Sequence, residues 1–317
     1  MVFAKAMGGS VKLLLILLAG ALALPATTFY VTVAGLGGEP DYEQRFASWA
    51  STLDKMLREN GDAAHVVTLH GAEATRDRLR SVLGEIAGRA TADDELVLTL
   101  IGHGTFDGYD YKMNLPGPDI TAAEIAGLLD EIPASRQLVA NLTSASGGSL
   151  ELLRKENRAV ITATKSGTER NAVVFARYWV EALETPEADL DKNEVITATE
   201  AFRFAARKTA EFYVTQKRLA TEHALIEDTG AGEGVREPSQ ENGRGLLAGQ
   251  FALLRIGEAQ LAALDPGKRE LVAKKRSIEE QIDTLKYQKG ALPQAEYRQQ
   301  LTRLLIELAR TQAELEK

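Results

Sequence analysis

A histidine and a serine that could form a catalytic pair each follow directly after an apolar stretch of the sequence. His103 lies in Gly-His-Gly after residues 96–101, and Ser144 lies in Thr-Ser-Ala-Ser-Gly-Gly after residues 137–142. A histidine can take the proton of a serine hydroxyl and so generate a nucleophile, and backbone N–H groups stabilise the oxyanion that then forms. We therefore predict a candidate catalytic site of His103 and Ser144, with the N–H of Gly104 as an oxyanion donor.

The two apolar stretches have the length and composition of buried strands, and they belong to a longer alternation of strands and helices. Strands are predicted at 28–34, 64–69, 96–101, 137–142, 159–163 and 246–256. Helices are predicted at 42–60, 75–88, 121–129, 149–156, 173–183 and 197–219. This alternation produces right-handed crossovers, so the predicted fold class is α/β with a mostly parallel sheet. Residues that follow neighbouring parallel strands meet at the carboxyl edge of the sheet, where we expect His103 and Ser144 to face each other.

The composition changes from Pro266 onwards, where Gly290 and Pro293 separate two amphipathic helical patterns. Their apolar stripes are Leu271, Ile278, Ile282 and Leu285, then Tyr297, Leu301, Leu304, Leu308 and Leu315. Charges surround both stripes, which is typical of a helical hairpin or a short antiparallel coiled coil. We therefore predict an α/β domain at 27–260 and a hairpin at 261–317, which packs on its own domain or mediates self-association.

The first residues have the pattern of a targeting segment. Lys5 and Lys12 precede the apolar run 13–23, which ends in small residues. This order is typical of a secretory signal peptide, so residues 1–26 are predicted to be one that is removed. A retained membrane anchor is the alternative, although the run is short for a span. The mature protein is therefore predicted to be periplasmic or secreted.

The composition of the chain excludes several classes of function. It contains no cysteine, which excludes disulfides, thiolate metal sites and a cysteine nucleophile. The formal net charge is −8 at pH 7, so no basic excess is available to neutralise phosphates. Nucleic acid is therefore not an expected partner.

The order of the motifs resembles the caspase-like cysteine peptidase clan, and most closely its legumain-type members. In that family one strand ends in His-Gly, whose histidine is catalytic, and the next ends in the nucleophilic Cys, any residue, Ser and Gly. His103-Gly104 matches the first motif, and Ser146-Gly147 places Ser144 at the cysteine position. The resemblance covers residues 28–227 in strand order and implies a three-layer α/β/α sandwich.

The resemblance also implies where a peptide would bind and what would bind it. In the family, the turn after the following strand contributes to the peptide pocket, which here selects Lys165, Ser166 and Arg170. The positive charges of Lys165 and Arg170 would favour an acidic side chain or a carboxylate, whereas a solvated basic loop is the alternative. The partner is therefore predicted to be a peptide or a protein.

The serine at the cysteine position leaves three alternatives open, because a serine hydroxyl is nearly all protonated at neutral pH and needs a true general base. The chain is a serine-variant peptidase, or a degenerate peptidase fold that binds a peptide or partner without cleaving it. In the third alternative, the two motifs are merely turns at strand ends. As a pseudoenzyme, the chain would be a scaffold that uses its helical hairpin for assembly.

An acidic segment resembles a calcium-binding loop in its spacing. Asp189, Asp191, Asn193 and Glu200 fall at the first, third, fifth and twelfth positions of an EF-hand loop, and a helix follows. Against this assignment, Glu194 occupies the sixth position, where the sharp turn favours glycine. The alternative is an acidic helix N-terminus that the helix dipole stabilises. Calcium is therefore the one cofactor that the sequence suggests.

Overall fold

The structure is a computed structural model that describes residues 27–60 and 63–317. The predicted signal peptide and the alternative anchor lie outside the described residues. Within the described ranges, none of the helices combines the length and the apolar character needed to cross a membrane.

Strands and helices alternate along the first two thirds of the chain. The strands are β1 (Thr28–Ala34), β2 (Val66–Leu69), β3 (Glu95–Gly102), β4 (Gly104–Phe106), β5 (Tyr111–Met113), β6 (Ile120–Thr121), β7 (Arg136–Thr143), β8 (Arg158–Thr162), β9 (Val195–Thr197), β10 (Leu225–Glu227) and β11 (Ala252–Arg255). The helices are α1 (Pro40–Asn60), α2 (Arg76–Ala87), α3 (Ala122–Asp130), α4 (Leu150–Leu153), α5 (Phe175–Glu184), α6 (Ala198–Thr215), α7 (Leu246–Gly249), α8 (Gly257–Leu264), α9 (Arg269–Tyr287) and α10 (Gln294–Leu315).

Six strands form the central sheet in the order β10-β8-β7-β3-β1-β2. All neighbours are parallel except β10, which runs antiparallel to β8. All eight residues of β3 are buried, because helices cover both faces of the sheet. Helices α1, α5 and α6 pack on one face, and α2, α3 and α4 pack on the other. The predicted α/β fold with a mostly parallel sheet is confirmed, and its architecture is a three-layer α/β/α sandwich.

The last strand predicted within 246–256 is present, but it is shorter than that segment. The four-residue helix α7 begins this segment, and the strand β11 that follows pairs antiparallel with β9 in a separate two-stranded ribbon. The buried carboxylate of Asp228 explains the helix, because it accepts hydrogen bonds from the N–H groups of Gly245 (3.0 Å) and Ala248 (3.3 Å). The bond to Gly245 also anchors the end of the segment that precedes α7.

The predicted helical hairpin is formed by α9 and α10. Ile278, Ile282, Leu285 and Leu304 make its own small apolar core. On the other side of α10, Leu305 and Ile306 are 48% and 49% exposed, respectively. Self-association through the hairpin stays a prediction, and these two side chains offer exposed apolar surface for it on α10.

An ion cluster around Glu95 attaches the helical hairpin to the central sheet. The Glu95 side chain, at the first position of β3, is buried and ion-paired with Arg136 of β7 and Arg276 of α9, the latter at 2.6 Å. Glu280 of α9 completes the cluster at 3.1 Å from both guanidinium groups. Removing one member of a buried ion pair leaves charge uncompensated, so this cluster couples hairpin docking to the stability of the sheet.

Replacing Glu95 with glutamine is expected to lower the free energy of unfolding by about 1.5–3 kcal/mol, because two partly buried arginines lose a charged acceptor. Denaturant unfolding of the full chain measures the change. Glu270→Gln, at an exposed position in the first turn of α9, is the control and should stay within about 0.5 kcal/mol of the wild type. Equal stability of the two variants would show that the Glu95 cluster does not contribute.

Candidate functional site

His103 and Ser144 follow neighbouring strands at the carboxyl edge of the sheet. The register pairs Gly102, the last residue of β3, with Thr143, the last residue of β7. The next residue along each strand is therefore His103 and Ser144. The structure brings the two residues to the same edge, as the sequence predicts.

The hydroxyl of Ser144 is committed to the backbone of Gly104. The N–H of Gly104 donates to Ser144 Oγ at 3.1 Å, and this hydroxyl donates to the carbonyl oxygen of Gly104, also at 3.1 Å. Ser144 is only 2% exposed. In this arrangement the predicted oxyanion donor is occupied by the predicted nucleophile, and the nucleophile's proton is held by a carbonyl group.

This double hydrogen bond has a structural reason. Strand β4 lies at the edge of a small sheet of order β4-β5-β6. Along such a strand, alternate residues direct their N–H and C=O groups away from the sheet. His103 and Asp107 bond to the β5 side, so Gly104 faces outward. The Ser144 hydroxyl thus replaces the missing neighbouring strand for one residue, which satisfies both buried backbone groups.

Gly104 is a glycine because of this close approach. A Cβ atom there would lie 2.5 Å from the carbonyl oxygen of Ser144 and 2.6 Å from the Tyr111 ring. Neither neighbour can retreat easily, since Tyr111 is fully buried and Ser144 follows the central strand β7. The second glycine of Gly-His-Gly therefore serves packing as well as backbone hydrogen bonding.

The His103 ring packs against helix α1. It makes edge-on contacts with Tyr42 and Phe46, with centroid distances of 4.8 and 5.2 Å. Burial lowers the pKa of His103, while a hydrogen bond to the backbone of Gly37 raises that pKa and offsets part of the shift. The hydrogen bonds of the described residues do not include one between the His103 ring and Ser144 Oγ. The imidazole is thus half-buried and positioned by aromatic contacts rather than by the serine.

A buried polar network fixes the turn that contains Ser144. The Tyr111 hydroxyl contacts Thr143 Oγ1 at 2.5 Å and Asn141 Oδ1 at 3.2 Å. Asn141 in turn donates to Ser149 Oγ at 3.0 Å, and Ser149 donates to the carbonyl oxygen of Ser146 at 2.7 Å. Burial raises the pKa of Tyr111 to about 12, so its hydroxyl stays protonated. The network makes the turn rigid.

The predicted peptide-binding residues lie in the turn after β8. Lys165 and Arg170 are exposed, with Lys165 Nζ 3.9 Å from Glu169, and Ser166 Oγ bonds to Thr168 at 2.8 Å. The turn lies beside the serine turn, because the ring of Phe106 packs between Gly148 and Gly167, where Cβ atoms would overlap it. Two exposed cationic side chains, of which Lys165 is ion-paired with Glu169, therefore lie next to a site whose interior is filled.

Glu169 joins three loops at this edge, and the sequence contains no signal for it. Its carbonyl oxygen accepts from the N–H of Ala145 at 2.8 Å, which connects it to the serine turn. Its carboxylate accepts from the N–H of Lys165 at 2.9 Å and contacts Nδ1 of His223 at 2.5 Å. Glu169 and His223 are 54 positions apart, so no local spacing could indicate the pair.

The acidic loop brings three of its four predicted calcium ligands together. One carboxylate oxygen from each of Asp189, Asp191 and Glu200 lies within 4.8 Å of the others. Asn193 instead directs its amide oxygen to the N–H of Val195, at 2.8 Å. Glu200 also forms a capping box with Thr197 at the start of α6, which is the alternative role that the sequence allows.

Two further features of the acidic loop bear on calcium. Glu194 adopts the left-handed backbone conformation (φ 67°) that its position in such a loop requires, despite not being glycine. Burial and the neighbouring Glu200 raise the pKa of Asp191 from 3.8 to about 6. The folded state thus binds this proton more tightly than the unfolded state, and the stability it contributes is lost as the pH rises from about 4 through 6.

Neither the family models nor the curated proteins include a match to this sequence. Among solved structures, the chain is similar to the crystal structure of protein GSU0716 from Geobacter sulfurreducens, with a TM-score of 0.45 and 11% sequence identity. The match covers 73% of this chain and 100% of that chain. The resemblance to caspase-like peptidases therefore stays a prediction from the motifs.

Calcium binding at the acidic loop is expected to raise the midpoint of thermal unfolding at pH 7 and to raise it less at pH 5. The reason is that Asp191, whose pKa is about 6, is protonated as the pH falls from 7 to 5, and the neutral carboxyl group no longer attracts the cation. Asp191→Asn should weaken the effect at pH 7, whereas Asp93→Asn, at an exposed position elsewhere, should not. A midpoint that calcium leaves unchanged would remove the calcium assignment.

Proposed function

We propose that this chain is a non-hydrolytic protein of peptidase-like fold, which binds a carboxylate-bearing peptide segment at the carboxyl edge of its sheet. In this proposal the chain is a degenerate member of the caspase-like family that its motifs resemble. The predicted periplasmic or secreted location is part of the same proposal.

The observation that supports the absence of hydrolysis is the pair of hydrogen bonds between Ser144 and Gly104. Attack on a peptide carbonyl would require the Ser144 hydroxyl to break its bond to the Gly104 carbonyl group and to turn toward His103. The N–H of Gly104 would then have to exchange Ser144 Oγ for the oxyanion. Both groups are buried, so each lost bond costs free energy before any chemistry begins.

The surface beside this closed site supports binding. Lys165 and Arg170 are exposed cations on the turn after β8. Tyr109, at the tip of the β4–β5 hairpin, is 90% exposed. Aromatic and arginine side chains are enriched in protein interfaces, and lysine and arginine pair with carboxylates. A peptide with an acidic and an apolar side chain fits this combination.

A serine hydrolase is the second candidate, and the strand register supports it. Because Gly102 and Thr143 are register partners, His103 and Ser144 occupy adjacent positions at the same edge of the sheet. The N–H of Gly104 is already 3.1 Å from Ser144 Oγ, close to where an oxyanion would form.

A fluorophosphonate probe separates the two candidates, and we expect no labelling of the wild-type protein above the level of Ser144→Ala. The structural role of Ser144 predicts a second result. Ser144→Ala should lower the free energy of unfolding by about 1–3 kcal/mol, because two buried backbone groups of Gly104 lose their partner.

Ser48→Ala, at an exposed position of α1, controls for the loss of a serine hydroxyl and should change stability by less than about 0.5 kcal/mol. Labelling of the wild type that Ser144→Ala abolishes would make the protein a serine hydrolase and overturn the non-hydrolytic proposal.

Peptide binding is tested with a library of fluorescent peptides in which acidic residues are compared with their amide counterparts. For the tightest acidic peptide, the double variant Lys165→Gln/Arg170→Gln should weaken the Kd by about two- to thirty-fold, the range for two exposed ion pairs. Fluorescence anisotropy measures the change.

The matched control for this experiment is Lys217→Gln/Arg218→Gln, which removes the same charge just after the end of α6. It should leave the Kd unchanged. Equal binding of acidic and amide peptides, or equal loss in both double variants, would refute the assigned surface.

A further inference from the structure

A cavity lies between the helical hairpin and the β9–β11 ribbon, away from the carboxyl edge of the sheet. Its volume is about 210 Å³. Strand β9, strand β11, helix α8 and both helices of the hairpin contribute to its walls. The apolar part of the lining is Val195, Ala252, Ala259, Leu261, Ala262, Val272 and Leu315.

Arg255, the last residue of β11, lines this cavity without a counterion. Its side chain makes no hydrogen bond or ion pair within the described part of the chain. The other cations of the lining are satisfied: Lys275 pairs with Glu279 at 3.8 Å, and Arg276 pairs with Glu95 at 2.6 Å. Lys268 donates to the carbonyl oxygen of Leu315. Among the cations of the lining, Arg255 is thus the one whose guanidinium N–H donors have no hydrogen-bond acceptor among the described residues.

The acids of the cavity do not supply the missing partner. The Glu194 carboxylate accepts from the N–H of Ala259 at 2.8 Å, at the start of α8. Glu279 forms its ion pair with Lys275. Burial nevertheless raises the pKa of Glu279, so this ion pair offsets only part of the cost of burying the carboxylate. Asp265 accepts from the N–H of Gly267 at 2.8 Å, and Glu316 accepts from the side-chain amide of Gln312 at 3.0 Å.

The position of Arg255 is fixed by its backbone. Its N–H donates to Asn60 Oδ1 at 2.7 Å, and its carbonyl oxygen accepts from Asn60 Nδ2 at 2.5 Å. Asn60 is buried at the end of α1, so these two bonds join β11 to the α/β domain. Burial lowers the pKa of Arg255, and the more distant charges of Glu95 and Glu279 oppose this shift only in part. These backbone bonds fix the Cα of Arg255 in the cavity wall, from which its side chain reaches the cavity.

We infer that this cavity binds a small carboxylate with an apolar body, whose carboxylate pairs with the Arg255 guanidinium. An arginine fork matches the two oxygens of a carboxylate, and the apolar lining provides the surface for the hydrocarbon. An apolar cavity of about 150 Å³ admits benzene, so 210 Å³ accommodates an aromatic or short-chain acid. At the rim, Leu261 is 63% exposed, and a bound hydrocarbon would cover part of it.

Isothermal titration calorimetry with benzoate and hexanoate on the full chain tests the inference, with benzamide and hexanamide as uncharged counterparts. We expect at least one acid to bind at millimolar or lower concentration, and its amide to bind at least about ten-fold more weakly. Arg255→Gln should weaken the acid by about ten-fold or more, whereas Arg218→Gln, at an exposed position outside the cavity, should not.

A second variant keeps the test independent of any folding defect in Arg255→Gln. Ala262→Phe fills the cavity from the wall formed by α8 and leaves Arg255 in place, so it should also abolish binding. Circular dichroism checks that each variant is folded. Equal affinity for acid and amide, no binding of either acid, or wild-type binding by folded Arg255→Gln would overturn the inference. None of these outcomes involves Ser144, Lys165 or Arg170, so the proposed function is tested separately.

Discussion

The pairing of β3 with β7 is the constraint on which the rest of the structure depends. The two strands are paired along their whole length, from Glu95 and Arg136 to Gly102 and Thr143. Helices cover both faces, so the interior of this pair admits only apolar or fully satisfied side chains. Polar chemistry is therefore confined to the two ends of the pair. At one end lie His103 and Ser144, and at the other lies the Glu95 ion cluster.

The carboxyl end shows how one hydroxyl can decide between a catalytic and a structural site. The chain leaves the central sheet at His103 and continues as β4, where the outward-facing N–H and C=O groups of Gly104 need hydrogen-bond partners. Ser144 provides an acceptor and a donor in one atom, and it is held at 3.1 Å from both groups. A cysteine thiol is a weaker donor and acceptor, so it would satisfy these backbone groups less well. The serine is thus well suited to closing the edge, which is the opposite of what a nucleophile requires.

The sequence predicted the parts of this arrangement that depend on local patterns. Apolar stretches that end in Gly-His-Gly and Thr-Ser-Ala-Ser give the strands, their order along the chain and the residues at their ends. It could not predict the rotamer of Ser144 or the direction of the His103 ring, because both are set by residues distant in sequence. For His103 these are Tyr42 and Phe46, and for Ser144 it is Gly104, 40 positions away. Glu169 was missed for the same reason.

Short elements escaped prediction for a different physical reason. Strands β9 and β10 have three residues each, too few for a period of two to be recognised. Each nevertheless pairs with another strand: β10 extends the central sheet beside β8, and β9 pairs with β11, which Asn60 joins to α1 through Arg255. The cavity beside Arg255 arises only when the helical hairpin is attached through Arg276 to Glu95.

The two functional assignments are therefore separated by the length of β3. Eight residues at about 3.3 Å each span roughly 26 Å between the Glu95 cluster and His103. An anion at Arg255 contacts only elements at the amino end, and a peptide near Lys165 contacts only loops at the carboxyl end. The strand between them is buried and paired on both sides along its length. Helix α1 contacts both regions, through Asn60 at its last residue and through Tyr42 in its first turn, so it is the element through which the two ends are in direct structural contact.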